Sequence, residues 1–182
     1  NLILCAPDKG AVPFVKMVHE SLGLPETKIL LLDKERSGER QVSITVHPES
    51  EVTIADLKGK DVMVMDDMVR TGNTIVESCQ AIKKGNPNKV AFGVTHFYPS
   101  QEARENLNNK AVDEIMTTNT IHTIMNRDSQ GRLRKKLVVL KIGKWMCRHI
   151  LQMLDIDENR FEKDFYSIDM SSKNPRWPPP GL

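Results

Sequence analysis

One run of the sequence, residues 62–75 (VMVMDDMVRTGNTI), combines residue types that can bind a phosphorylated sugar. Two carboxylates, Asp66 and Asp67, end an apolar strand, and a short turn with Gly72 and two hydroxyl residues leads into a helix. Backbone N–H groups at such a turn, together with the positive end of the helix dipole, favour a bound phosphate. The carboxylates can accept hydrogen bonds from vicinal hydroxyls or hold a hydrated Mg²⁺. The run therefore predicts a sugar-phosphate site.

The same run also fits an ordinary connection between a strand and a helix. In that interpretation Thr71 caps the helix and the two aspartates are merely solvated. A lone pair of aspartates would favour this simpler alternative. Here the pair, the TGNT turn and the apolar strand occur together, which favours the phosphate site.

The run resembles the phosphoribosyl pyrophosphate loop that type I phosphoribosyltransferases share with ribose-phosphate pyrophosphokinases. Further segments resemble those of the pyrophosphokinases and occur in the same order: CAPDKGA at 5–11, LDKER at 32–36, VTHF at 94–97 and TTNTI at 117–121. The resemblance covers roughly residues 2–154. It implies a type I phosphoribosyltransferase fold, in which this chain corresponds to the second of two such domains and the first domain is absent from the sequence.

The resemblance also implies a reaction and residue roles. The pyrophosphoryl group of ATP would move to the 1-hydroxyl of ribose 5-phosphate, leaving AMP. Lys34 and Arg36, from the Lys-x-Arg segment, would neutralise charge that develops on the phosphates. Asp8 would lie near Mg²⁺, the implied cofactor, whereas its simpler role would be to cap the next helix. The implied ligands of ribose 5-phosphate are Asp66, Asp67, Arg70, Thr71, Gly72, Asn73 and Thr74.

Two other functions stay open at this point. Arg70 replaces an acidic or small polar residue of the family, and Asn73 replaces a glycine, which suggests a non-catalytic regulatory homologue. Retention of Lys34, Arg36 and both aspartates argues against that alternative. A salvage phosphoribosyltransferase shares the loop, but the Lys-x-Arg and TTNTI segments favour the pyrophosphokinase. The family builds its active sites between subunits, so the resemblance implies a homo-oligomer and an isolated chain that catalyses little.

The elements that must position these residues follow from hydrophobic periodicity. Short apolar runs alternate with stretches of helical periodicity, which is typical of a mostly parallel sheet flanked by helices. The predicted fold class is therefore α/β. Strands are predicted over residues 2–6, 28–32, 61–65, 89–95, 114–117 and 136–140. Helices are predicted over residues 12–22, 72–84, 101–108 and 142–154.

Three regions need separate interpretation. The last helix carries one apolar stripe, which predicts a closing helix that faces the core; the stripe consists of Ile142, Trp145, Met146, Ile150, Met153 and Leu154. Residues 34–60 hold many charges and an alternating stretch at 41–46, which predicts a flap loop with a strand or hairpin arm. Beyond residue 154 the composition changes, so we expect a domain over 1–154 and an extended, proline-rich C-terminal tail over 155–182.

Composition limits the class of protein. The 182 residues suffice for one domain with a substantial core, and the net charge of +2 gives no argument for a nucleic-acid or membrane-surface partner. Cys5, Cys79 and Cys147 are widely spaced, which predicts three small core residues in a reduced protein. No apolar run approaches the ~20 residues that span a bilayer, and no signal-peptide pattern occurs. We expect a cytoplasmic protein. His96 follows a strand and is predicted to be buried and hydrogen-bonded, with ligand contact as the alternative.

Overall fold

The computed structural model describes residues 1–37, 41–156 and 167–169, and it describes only the backbone at residues 35–37, 41, 42, 144 and 167–169. The strands are β1 (Leu2–Ala6), β2 (Lys28–Ser37), β3 (Gln41–Val46), β4 (Asp61–Val69), β5 (Lys89–Phe97), β6 (Glu114–Thr118), β7 (Leu137–Lys141) and β8 (Ser167–Asp169). The α-helices are α1 (Val12–Leu22), α2 (Asn73–Lys83), α3 (Gln101–Leu107), α4 (Arg127–Gln130) and α5 (Gly143–Met153).

The strands form a single sheet in the order β3-β2-β1-β4-β5-β6-β7-β8. Strand β1 pairs in parallel with β2 and β4, and the parallel pairing continues from β4 through β5 and β6 to β7. Only the two edge strands, β3 and β8, pair antiparallel among the described residues. The predicted α/β class with a mostly parallel sheet and flanking helices is confirmed.

Apolar side chains cover both faces of β4, the strand that leads to the predicted site. Successive side chains of a strand point to opposite faces. Val62 and Val64 accordingly join the larger core with Ile75 of α2, whereas Met63 packs against a smaller core that contains Val15 of α1. Burial of both faces fixes the orientation of β4 and therefore the position of its last residues.

Strands β2 and β4 extend furthest beyond their predicted apolar runs. Strand β2 continues beyond residue 32 to Ser37, and β4 continues beyond residue 65 to Val69. The polar end of β2 is extended because residues 32–37 pair antiparallel with β3, from Leu32 opposite Val46 to Ser37 opposite Gln41. The predicted strand at 41–46 is confirmed, and we call residues 33–37 together with β3 the arm.

The prediction that the last helix faces the core is wrong. Trp145, Met146, Ile150 and Met153 of α5 are exposed by 43%, 49%, 52% and 86%. Periodicity reports that a helix has an apolar side, but it does not report whether another layer covers that side. Cys147 lies on the same helix and is only half-buried, unlike the buried Cys5 and Cys79, so its assignment to the core is wrong as well.

The region beyond α5 is described in part. Strand β8 lies within the stretch predicted to be an extended tail, and it pairs with β7 at the edge of the sheet. The remaining residues of the predicted tail after 156, including the proline-rich stretch at 173–182, lie outside the described residues. The longest described helices have 11 residues, and none has the length and apolar character needed to cross a membrane.

Candidate phosphate-binding site

The predicted site lies where the order of the strands changes direction. From β1 the chain proceeds to β2 on one side, whereas β4 to β7 follow one another on the other side. Open α/β sheets bind ligands in the crevice outside the C-terminal ends of the strands at such a reversal. Asp8 follows β1, and Asp66 and Asp67 lie near the end of the neighbouring β4. The parallel pairing of β1 and β4 therefore brings these three carboxylates to the same edge of the sheet.

The two neighbouring aspartates differ in environment. Asp66 is half-buried and lies opposite Val94 of β5, whereas Asp67 is exposed. The backbone N–H of Asp67 donates a hydrogen bond of 2.9 Å to Oδ1 of Asp66. The carboxylate of Asp66 is therefore partly fixed by the chain, while that of Asp67 can face a ligand that arrives from solvent.

The pKa of Asp66 is raised to about 6, chiefly by burial and also by the charges of Asp8 and Asp67, against the opposing hydrogen bond from the Asp67 amide. A cation between Asp8 and Asp66 would relieve this cost. No group of three or more His, Cys, Asp or Glu in the described parts of the chain could hold a metal ion. Two carboxylates nevertheless suit Mg²⁺, which keeps several waters and takes further oxygens from substrate phosphates.

Asp8 also has the capping role that was its simpler alternative. It precedes a short 3-10 helix, and its Oδ1 accepts a 3.2 Å hydrogen bond from the backbone N–H of Ala11. This bond orients the carboxylate but occupies only one of its oxygens. Capping and a position near a cation are therefore compatible.

The turn between β4 and α2 depends on Gly72. Its φ of 77° lies in the left-handed region, and it forms the N-cap of α2, so the alternative in which Thr71 caps the helix is wrong. A Cβ at this position would lie 2.8 Å from Cγ of Leu107 in α3. Glycine is thus required by the backbone conformation and by packing beneath the turn.

Side chains at the two ends of α3 donate hydrogen bonds to carbonyl oxygens of this turn. The Ser100 hydroxyl donates to the Arg70 carbonyl oxygen at 2.9 Å. The Asn106 amide donates at 2.8 Å to the carbonyl oxygen of Thr71 and at 2.8 Å to Oδ1 of Asn73. Engaging these acceptors on the α3 side leaves N–H groups and hydroxyls available to an anion on the other side.

Sequence analysis did not identify Ser100 or Asn106. Ser100 directly precedes a predicted helix and caps it by accepting from the Ala103 N–H at 3.1 Å, so a capping search could have found it. Asn106 contacts Thr71 across 35 residues of sequence. No local pattern reports a contact of that range.

Lys34 is brought to the phosphate turn. Its Nζ lies 2.8 Å from Oε2 of Glu77 and 3.4 Å from Oγ1 of Thr74, both on α2. Its side chain is only 18% exposed. The Arg36 backbone belongs to β2, but its side chain lies outside the described residues. The structure thus places Lys34, one of the two predicted cations, beside the predicted phosphate ligand Thr74. It also pairs Lys34 with Glu77, which sequence analysis did not identify.

The VTHF and TTNTI segments meet beside β4. His96 is exposed, so its predicted burial is wrong, but the predicted hydrogen bond is present between its Nδ1 and Oγ1 of Thr120 at 2.9 Å. His96 also lies opposite Met68 of β4. His96 lies in the part of β5 beyond residue 95, near the open end of the sheet.

Comparison with known proteins identifies the family of this chain. The family model of the phosphoribosyl transferase domain matches residues 1–130. The ribose-phosphate pyrophosphokinase of Pyrococcus furiosus is 37% identical over 127 residues, which is 70% of this chain and 42% of that protein. The enzyme of the same name from Thermococcus kodakarensis is 35% identical over 127 residues, with the same two coverages. The chain thus spans about two fifths of the length of these curated relatives.

A solved structure of a protein with a related name is also similar to this chain. The phosphoribosylpyrophosphate synthetase from Mycobacterium smegmatis superposes with a TM-score of 0.66 at 25% identity, over 85% of this chain and 45% of that one. The chain therefore belongs to the phosphoribosyltransferase family of type I fold, within its ribose-phosphate pyrophosphokinase branch.

Replacement of Gly72 by alanine should destabilise the protein. The left-handed backbone alone costs about 1 kcal/mol or more for a residue with a Cβ, and contact with Leu107 adds to that cost. Gly59→Ala is the matched control, because Gly59 has a φ of 69° and a Cβ there would meet no atom within 4 Å. Urea unfolding should show a larger loss for Gly72→Ala than for Gly59→Ala. Equal losses would show that Leu107 does not restrict the turn.

Asp66→Asn should stabilise the metal-free protein at neutral pH. The pKa of Asp66 is about 6 in the folded state against an ordinary value of 3.8. Between about pH 4 and pH 6 the Asp66 carboxyl is therefore mostly protonated in the folded state and mostly ionised in the unfolded state. The free energy of unfolding of the wild type decreases as pH rises through that window. At pH 8, in chelator, the variant should unfold with a free energy higher by on the order of 1 kcal/mol after allowance for solvent screening. The difference should disappear near pH 4, and a difference independent of pH would contradict this assignment.

Proposed function

We propose that this chain is part of a ribose-phosphate pyrophosphokinase that transfers the pyrophosphoryl group of ATP to the 1-hydroxyl of ribose 5-phosphate, giving phosphoribosyl pyrophosphate and AMP. One observation carries the proposal. The Lys34 ammonium group lies 3.4 Å from the hydroxyl of Thr74, at the start of α2, where the strand order reverses. A cation from the Lys-x-Arg segment and a phosphate-binding turn are thus side by side.

The turn would bind the 5-phosphate of the sugar. Thr71 and Thr74 supply hydroxyl donors, and the first amide groups of α2 supply N–H donors aligned with the helix dipole. Arg70 is exposed beside the turn and adds a positive charge, and the exposed Asn73 completes the set. Dianionic phosphate is favoured here because donors and charge converge on one point.

Asp67 would orient the ribose ring. It is exposed at the end of β4, next to the turn, where a carboxylate can accept hydrogen bonds from vicinal hydroxyls. Asp66, held by the Asp67 amide, would support this contact from the half-buried side. The sugar would then be fixed at both its phosphate and its hydroxyl groups, which positions the 1-hydroxyl for reaction.

The reaction would form a bond between the ribose 1-oxygen and the β-phosphorus of ATP. The bond from that phosphorus to the oxygen it shares with the α-phosphate would break, that oxygen would leave with AMP, and the hydroxyl proton would pass to solvent. Asp8 and Asp66 would hold Mg²⁺, which neutralises phosphate oxygens when it is bound. Lys34 and Arg36 would neutralise charge that develops on the transferred group. Because the chain spans about two fifths of its relatives, residues outside it would complete the ATP site. A homo-oligomer and a cytoplasmic location belong to the same proposal.

The function is tested with the full-length protein, ATP, Mg²⁺ and ribose 5-phosphate, by measuring AMP and phosphoribosyl pyrophosphate. We expect both products in equal amounts. Well-folded protein that releases no AMP would instead indicate a regulatory homologue. Consumption of phosphoribosyl pyrophosphate with a free base would indicate a salvage phosphoribosyltransferase.

Lys34→Ala should lower kcat by about 100-fold or more, because its charge is needed mainly in the transition state. The dissociation constant of ribose 5-phosphate should change by no more than about threefold, since any contact of the lysine with the bound phosphate is offset by the loss of its ion pair with Glu77. Lys16→Ala, on the exposed side of α1, is the control and should match the wild type. Steady-state kinetics and calorimetry measure the two effects, and equal losses in both would contradict this role of Lys34.

A further inference from the structure

The ion pair between Lys34 and Glu77 joins the arm to the helix that begins at the phosphate turn. The two charged groups are 2.8 Å apart, and their side chains are 18% and 34% exposed. The pair is therefore shielded from water on most sides. Charges removed from water depend strongly on each other, because either one alone would be poorly solvated.

The pair sits directly beside the predicted phosphate ligands. Thr74 and Glu77 are three residues apart on α2, so they lie on the same face of the helix. That face meets the arm, where Ile44 and Val46 of β3 pack against the larger core. Lys34 Nζ reaches both α2 side chains, at 3.4 Å from Thr74 and 2.8 Å from Glu77.

This placement creates a competition for the lysine. A dianionic phosphate at the turn would attract the Lys34 ammonium group and repel the Glu77 carboxylate. Lys34 can contribute fully to a phosphate group only after it leaves Glu77. The free energy gained with phosphate is then offset by the loss of the ion pair.

We propose that Glu77 is a positioning residue that holds Lys34 in a resting position beside the phosphate-binding turn, and that phosphate bound at the turn takes the lysine over from Glu77. This inference rests on the proposed function, since it assigns the competing anion to ribose 5-phosphate. The alternative is a purely structural tie between the arm and α2. A structural tie would affect stability but would not restrain the binding of phosphate.

The test compares the affinity of the full-length protein for ribose 5-phosphate in wild type, Glu77→Gln, Lys34→Met and the double variant. Glu102→Gln is the matched control, because Glu102 approaches the same turn through a 3.4 Å contact with the Asn73 amide and not through a lysine. Calorimetry without ATP measures the dissociation constants, and urea unfolding confirms that each variant is folded.

We expect Glu77→Gln to bind ribose 5-phosphate about five- to tenfold more tightly than wild type. Glu102→Gln should gain about twofold, which is the general effect of removing one negative charge near an anion. In the Lys34→Met background, Glu77→Gln should gain no more than Glu102→Gln does, because no lysine is released. Glu77→Asp, which keeps the charge, should restore an affinity close to that of wild type.

Three results would overturn the inference: a gain for Glu77→Gln no larger than that for Glu102→Gln, weaker binding by Glu77→Gln, or a gain that persists without Lys34. Any of these, with ribose 5-phosphate bound by the wild type, would leave the proposed function in place. Failure of folded wild type to bind ribose 5-phosphate at all would overturn both, and the assay for AMP would separately report the loss of the proposed function.

Discussion

The site depends on one glycine, Gly72, whose backbone lies in the left-handed region and which packs directly against Leu107. Gly72 turns the chain from β4 into α2 with a φ of 77°, and Leu107 lies so close beneath it that no Cβ fits. This packing sets where α2 begins and therefore where its N-terminal amide groups point. A phosphate site built on backbone groups is only as well defined as that starting point.

Helix α3 is the second support of the same turn. Ser100 at its N-cap and Asn106 near its end bind the carbonyl oxygens of Arg70 and Thr71, while Leu107 fills the space below Gly72. None of these three side chains needs to contact a ligand. They hold the turn in one conformation before a ligand arrives, which reduces the ordering cost of binding.

Elements built from strong local patterns could be predicted from the sequence, and contacts between distant segments could not. The bounds of β1 and α1 match their predictions because each is a clean apolar or helical pattern. The polar end of β2 is a strand only through pairing with β3, and the stripe of α5 could not show what covers it. Within the site, the DD and TGNT residues were evident by type, but Glu77 meets Lys34 across 43 positions of sequence.

The link between His96 and Thr120 ties the end of β5 to the segment that follows β6. The Thr120 hydroxyl lies 2.9 Å from Nδ1 of His96, 2.9 Å from the carbonyl oxygen of Thr95 and 3.0 Å from the Thr118 hydroxyl. Because one hydroxyl group can donate one hydrogen and also accept, this shared oxygen holds one edge of the imidazole in place. The exposed ring therefore keeps a fixed orientation at the open end of the sheet.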